Sequence, residues 1–468
     1  MKPQKGNFFC WLPFQQIALK EWGSNAIHGN GAGIRSVSMC CNTYRPGYED
    51  PLKLDRKLRS SKIKPTAKEL FHGPEMTKIR EYMLKGKKHP ACKVCWDQEK
   101  LSFKENSSYR LNNKTPYHPD VEVNNPKLIG IDFQFDENCN LRCRMCSPSN
   151  SNKLRMDYNF FEENNIDTSN VPGFDWQRDR SLNINADAYK GSEKETRKWT
   201  DDDNEQWLDI LKNINDLRYI RATGGETLIA RGFLQFLDRA IEADAAKEIV
   251  LDIHSNCTKF TNVMIEKLNH FKKLSLHASI DSVGKNYEYV RYPMPWNKLD
   301  KSINNLCSKI KCETEFHMVS TASSITAHYQ KDLFDYTNDL KQKYPHIKFD
   351  YFADCVHPVD RGMSLQFLPK EIKQKLLNDW ENTQKQFYEY QSKIRNSSDG
   401  DEYHDVEFIN GANFNVVISL ISNSLKRKEL PSDKENFLKE LKAFDRSRDQ
   451  DYRDFLHEDV VKWLDSNH

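Results

Sequence analysis

The chain has no uninterrupted apolar run long enough to cross a bilayer, which excludes a spanning helix. Its first residues, "MKPQKGNFFCWLPFQQ", carry two lysines, but Pro13 and Gln15 break the apolar part at once, so the stretch does not read as a signal peptide. The expectation from these absences is a cytoplasmic chain with no membrane role. Thiols stay reduced there, so clustered cysteines are expected to bind metal or do chemistry rather than pair as disulfides. The 18 glycines are dispersed, so no Walker-type or dinucleotide-type phosphate loop is present. No internal repeat is visible, which excludes a repeat architecture.

What is there suits a globular protein. The 468 residues are 38% hydrophobic, 29% charged and 11% aromatic, and this length implies two or three domains. The net charge of +2 hides an asymmetry: residues 1–127 hold 23 Lys and Arg against 12 Asp and Glu, and the rest of the chain is net acidic. The densest basic stretch is "KLDRKLRSSKIKPTAK" (53–68). No aromatic residue interleaves with it as a stacking platform would require, so it reads first as a solvated face. The sharper reading is a docking surface for an anionic partner, RNA included.

From about residue 128 short apolar runs alternate with amphipathic ones. "KLIGIDFQF" (127–135), "LRYIRAT" (217–223), "EIVLDIHS" (248–255), "KLSLHASI" (273–280), "ETEFHMVST" (313–321) and "IKFDYFAD" (347–354) read as strands. Residues 231–247, 262–273, 298–310 and 333–344 repeat apolar positions at helical spacing. Strands alternating with helices imply a parallel sheet with right-handed crossovers. Six is fewer than the eight of a closed barrel. The expected fold is therefore α/β, a partial (β/α)6 TIM-like barrel with chemistry at the C-terminal strand ends. The expected organisation is a cysteine-rich module over 1–127, the barrel over 128–365 with a polar insertion at 152–204, and a helical region over 366–468. The insertion reads equally as a lid or as a tolerated surface segment.

"ENCNLRCRMCSPSN" (137–150) holds Cys139, Cys143 and Cys146, three of the chain's 12 cysteines. Three thiolates on a loop after a strand can hold a four-iron cluster and leave one iron open to another ligand. The plainer alternative is a zinc site, but no histidine lies nearby to be its fourth ligand.

This C-x3-C-x2-C loop resembles the signature of the radical S-adenosylmethionine superfamily. The resemblance implies a [4Fe-4S] cluster whose open iron chelates S-adenosylmethionine; its reductive cleavage gives a 5′-deoxyadenosyl radical that abstracts hydrogen from a substrate. Met145 stands where that family usually has an aromatic residue. "TGGETLI" after the second strand resembles the family's GGE motif, which implies that Gly224, Gly225 and Glu226 meet the methionyl ammonium. "HSNCT" resembles an S/T-N-G-T turn, implying Ser255 and Asn256 as cofactor contacts, with Cys257 in the glycine's place. "SIDSVGKNYEYVRYP" resembles an S-x-D-G stretch followed by arginine. It implies Ser279 for ribose or carboxylate and Arg291 for carboxylate, with Asp281 a further candidate. Val319 is placed at the adenine site by position on the fifth strand.

Upstream lie Cys10, the adjacent pair Cys40 and Cys41, and Cys92 with Cys95 in "PACKVCWDQEK". The last two are spaced to face one metal. "FFCWLPF" followed by "SMCCN" resembles the opening of the auxiliary-cluster modules called twitch and SPASM, in which a hairpin ends in cysteine. The resemblance implies a second [4Fe-4S] cluster on Cys10, Cys40 or Cys41, Cys92 and Cys95. Neighbouring residues of an extended strand face opposite ways, so one of Cys40 and Cys41 ligates, with Cys41 slightly preferred. A structural zinc in the same thiolates is the alternative. Cys307, Cys312 and Cys355 read as ordinary small hydrophobes, with Cys355 near a strand end.

The resemblance implies a peptide or protein substrate and an electron donor such as flavodoxin or ferredoxin. The alternatives are radical modification of RNA or a small metabolite, motivated by the basic N-terminal module, and a non-catalytic, metal-stabilised nucleic-acid-binding protein.

Overall fold

The computed structural model describes residues 8–20, 36–40, 65–101, 111, 121–148, 150–169, 171, 200, 202, 204–355, 362–397 and 414–466. Cys41, the basic stretch 53–64 and most of the insertion, 172–199, lie outside them. Eight strands form: β1 (Gln16–Lys20), β2 (Ser36–Ser38), β3 (Gly130–Gln134), β4 (Tyr219–Thr223), β5 (Val250–Ser255), β6 (Lys273–Ser279), β7 (Glu313–Ala322) and β8 (Lys348–Cys355). After a single helical turn at Leu12–Gln15, the longer helices, in order, are α1 (Ala67–His72), α2 (Pro74–Leu84), α3 (Lys93–Leu101), α4 (Arg155–Glu163), α5 (Glu205–Lys212), α6 (Arg231–Glu242) and α7 (Asn262–Leu268). Then come α8 (Gly284–Val290), α9 (Trp296–Lys309), α10 (Gln330–Lys343), α11 (Lys370–Ser397), α12 (Phe414–Ser424), α13 (Pro431–Arg448) and α14 (Glu458–Asp465). Among the described residues no helix is long and apolar enough to cross a membrane.

The sheet order is β2-β1-β3-β4-β5-β6-β7-β8, with seven strands parallel and β2 antiparallel to β1. The fold is α/β, and all six predicted strands are present as β3 to β8. Two strands were not predicted. β1 lies parallel to β3, pairing Ile17 with Ile131 and Leu19 with Phe133, and extends the sheet at its N-terminal edge. The burial pattern of β6 alternates without a break, as expected where one face meets helices and the other carries polar side chains.

The chain divides into two compact units, and the division passes through β5 and β6. The first unit comprises 1–136, 191–253 and 266–274. Its core is apolar: Phe133 and Phe135 stack, Trp207 of α5 meets both edge-on, and Phe233 and Phe236 of α6 close on them. Helix α6 buries Phe233, Phe236, Leu237 and Ala240, positions three and four apart on one helical face. Helix α1 opens with a capping box: Thr66 Oγ1 accepts from the Glu69 amide at 3.2 Å, and Glu69 Oε2 accepts from the Thr66 amide at 2.8 Å. Such a cap contributes about 1 kcal/mol.

The second unit comprises 137–190, 254–265 and 275–468. It holds the cysteine loop that leaves β3, the strands from β7 onward, and the C-terminal helices. Strands β7 and β8 pair from Glu315 with Lys348 through Ala322 with Cys355.

Candidate functional site

In the second unit the loop after β3 has no regular structure, yet its backbone groups find partners. The Arg142 amide donates to Tyr292 O at 2.7 Å and the Arg144 amide to Val290 O at 2.9 Å. Asn152 Oδ1 accepts from the Cys139 amide at 3.1 Å, and Ser151 Oγ donates to Leu141 O at 2.7 Å. A loop held at so many points presents its side chains in fixed directions.

Cys139 and Cys143 are buried and pack with Leu141, Met145, Cys146 and Met294. Nitrogen donors approach two of the sulfurs. Cys139 Sγ receives the Leu141 amide at 3.5 Å and Asn256 Nδ2 at 3.8 Å, and Cys143 Sγ receives Arg291 Nη1 at 3.8 Å. Burial raises the Cys143 thiol above its ordinary value; the Arg291 guanidinium opposes this, and Cys146 and Cys139 add to the rise.

The turn after β5 closes against this loop. Ser255 Oγ accepts from the Cys257 amide at 2.9 Å, and Asn256 Oδ1 accepts from the Thr258 amide at 3.1 Å. Asn256 Nδ2 also donates to Asn140 Oδ1 at 3.0 Å, and Asn140 Nδ2 donates to Thr258 Oγ1 at 2.8 Å. Cys257 has φ of 62°, the left-handed region that glycine enters most easily. The turn thus keeps a backbone shape suited to glycine although the residue is cysteine.

Asp281 is fully buried, and both its oxygens are engaged: Oδ2 accepts from Arg291 Nε at 2.5 Å, and Oδ1 from the Thr321 amide at 2.8 Å. Burial works against the Arg291 charge, but Asp281 and Cys143 outweigh it and hold the guanidinium above its ordinary value. Ser279 ends β6, and Val319 O on β7 accepts from the Ile280 amide at 3.0 Å; both residues are half-buried.

The first unit holds the other motif. Gly224 has φ of 153°, and a Cβ there would stand 2.7 Å from Asp136 O. The Gly225 amide donates to that same oxygen at 2.7 Å. Glu226 is buried and caps the short turn Thr227–Ile229, accepting from the Leu228 amide at 3.0 Å.

The first unit also gathers the upstream cysteines. Cys10, Cys40, Cys92 and Cys95 are buried and form no disulfide. Strands β1 and β2 form an antiparallel pair, Ala18 with Ser38 and Lys20 with Ser36, so Cys10 enters and Cys40 leaves at the same end. Cys92 Sγ approaches Met39 Sδ at 3.8 Å, and the Phe8 ring meets Trp96, next to Cys95, at 5.4 Å. His89, buried beside them, accepts from the Ala91 amide through Nδ1. Burial and, less, Lys78 lower its pKa to about 4.

A row of histidines escaped the sequence reading. His254 of β5 and His277 of β6 stack at 4.5 Å with 3° between ring planes. His317 of β7 follows at 4.8 Å, and its Nδ1 lies 3.1 Å from Asp350 Oδ2 of β8. The signal was available: three consecutive strands each carry one histidine, near the C-terminal end in β5 and β6 and in mid-strand in β7. Another group, His328, His457 and Asp459, brings donor atoms within 4.8 Å. It is a poor cation site. His457 Nδ1 already caps α14, Lys375 holds Asp459 at 3.0 Å, and a helix N-terminus repels positive charge.

No protein-family model matches the chain, and no curated protein matches it. Three solved structures of SuiB from Streptococcus suis do. The one bound to S-adenosylmethionine is 11% identical with a TM-score of 0.32, covering 70% of this chain and 52% of that one. SuiB alone is 13% identical at 0.29, covering 64% and 48%. SuiB bound to its precursor peptide SuiA is 13% identical at 0.32, covering 73% and 57%. This chain therefore spans about half the length of each. A likeness this weak carries no argument about activity.

Proposed function

We propose that the chain is a radical S-adenosylmethionine enzyme, with Cys139, Cys143 and Cys146 holding a [4Fe-4S] cluster whose fourth iron is left for the cosubstrate. The observation that carries this is the donor set: three clustered thiols on a pinned loop, with N–H groups aimed at two of the sulfurs. When bound, such a cluster supplies the electron that cleaves S-adenosylmethionine to the 5′-deoxyadenosyl radical.

The chain's own residues take the remaining tasks. The Leu141 amide, Asn256 and Arg291 stabilise the thiolates. Gly224 and Gly225 set the backbone beside Asp136, and the Glu226 carboxylate accepts from the methionyl ammonium. Ser279 and Val319 offer ribose and adenine contacts, with Met145 beside the third cysteine. Asp281 is better suited to orienting Arg291 than to touching the cofactor, because both its oxygens are taken. Cys10, Cys40 or Cys41, Cys92 and Cys95 are the proposed ligands of an auxiliary [4Fe-4S] cluster. The resemblance of that module to twitch and SPASM supports a peptide or protein substrate, with flavodoxin or ferredoxin as electron donor in the cytoplasm.

The test is anaerobic reconstitution, dithionite and S-adenosylmethionine, followed by assay for 5′-deoxyadenosine. Cys143→Ala abolishes the product and Cys307→Ala, on α9, retains it. A fully loaded wild-type chain that makes none overturns the reading.

A further inference from the structure

The cysteine loop contains two arginines, Arg142 and Arg144, that no metal-binding role explains. Arg144 is completely buried between Cys143 and Met145. Its Nη2 donates to Asp445 Oδ1 of α13 at 2.6 Å and to Gln450 Oε1 at 3.0 Å, and its Nε to Tyr289 O at 2.9 Å. The guanidinium lies 3.5 Å from the centre of the Tyr289 ring. Tyr289 Oη donates to the same Asp445 oxygen at 2.8 Å, and Asp445 Oδ2 accepts from the Tyr452 amide at 2.9 Å.

A parallel set lies one turn along α13. Asp157 of α4 accepts from Arg142 Nη1 at 3.2 Å, from Arg448 Nη2 at 2.9 Å and from Ser447 Oγ at 2.6 Å. Arg448 and Asp157 are both fully shielded from solvent. Phe444 of α13, whose ring both the Arg144 and Arg448 guanidinium groups approach, belongs to the apolar cluster with Leu154, Tyr158 and Phe161 against which Cys146 packs.

Buried ion pairs are costly to desolvate, and apolar packing of similar volume commonly stabilises as well. What a bidentate or stacked arginine adds is direction, since its planar fork accepts few geometries. Arg144 bonds to α13 directly, Arg142 is linked to it through Asp157, and each arginine flanks Cys143 by one residue. We propose that α13 is a brace for the cysteine loop: Asp445, acting through Arg144, and Asp157, shared by Arg142 and Arg448, are positioning residues that fix the directions of Cys143 and Cys146. This rests on the reading of those cysteines as cluster ligands, and adds that the C-terminal helical region belongs to the site's machinery.

The test uses the full chain in two forms. In the metal-free protein, iodoacetamide labelling mapped by mass spectrometry gives the rate at each cysteine. Asp445→Asn is expected to speed labelling of Cys143 and Cys146 at least tenfold and leave Cys307 unchanged. Glu435→Gln, on an exposed pair with Lys439 in the same helix, leaves all three at wild-type rates. In the reconstituted, dithionite-reduced protein, Asp445→Asn shifts the electron paramagnetic resonance g-values of the cluster, and Asp445→Glu restores them in part. A purely structural role would lower the melting temperature without moving the g-values. If Asp445→Asn also exposes Cys307, the fold has been lost and Asp445→Glu carries the labelling comparison. Wild-type labelling rates in a folded Asp445→Asn chain overturn the brace. A wild-type chain that takes up no cluster at the three cysteines overturns the functional reading instead, and labelling still decides the brace.

Discussion

Replacing Gly224 with alanine would place a methyl carbon 2.7 Å from the Asp136 carbonyl oxygen, closer than ordinary contact allows. That oxygen is backbone and cannot swing aside. It also accepts the Gly225 amide at 2.7 Å, so any shift that relieves the clash stretches this bond. Two costs follow. Holding a non-glycine residue at φ of 153° costs on the order of 1–3 kcal/mol. Losing the hydrogen bond costs about 1 kcal/mol more. The expected penalty is therefore roughly 2–4 kcal/mol, which lowers the melting temperature by about 5–15 °C for a unit of this size. The assay is thermal unfolding of the metal-free chain, with hydrogen exchange to localise the effect. Exchange should quicken at 133–137 and 223–227 and remain unchanged in α13. A Gly224→Ala chain that melts within about 1 °C of wild type, with unchanged exchange at both segments, refutes the reasoning.

Two further outcomes are expected. His89 and His328 are each held near a pKa of about 4, burial being the main cause. Both are neutral when folded and gain protons more readily when unfolded, so stability is full above pH 6.5 and falls as pH drops toward 4; denaturant melts across that range should show the fall, and His89→Gln should reduce it. Iron analysis of the reconstituted chain should give roughly eight irons, four for each cubane, and no zinc; Cys92→Ser should lose the auxiliary share while retaining the other, and about four irons with zinc in the wild type would refute the second cluster.

The strands β3 to β8 were legible because each alternates or runs apolar over five residues or more between turn formers. Strand β1, "QIALK", was not, because it follows Pro13 and Gln15, opens on Gln16 and joins the sheet through pairing with β3, a contact with no local trace. Cys257 was legible as a departure from a glycine turn, but not that the turn keeps a left-handed backbone regardless. The packing of Cys139, Cys143 and Cys146 was legible in their spacing. The brace could not: Arg144 and Asp445 are 301 residues apart, and a buried arginine looks the same in sequence as one in solvent.

That separation has a consequence for how the protein is made. At elongation rates of about 5–20 residues per second, the ribosome completes the cysteine loop roughly 15–60 s before it completes Asp445. Through that interval the nascent loop has its thiols and lacks the carboxylate that directs them. If the three cysteines hold the proposed cluster, iron insertion at this loop is thus an event for the finished polypeptide.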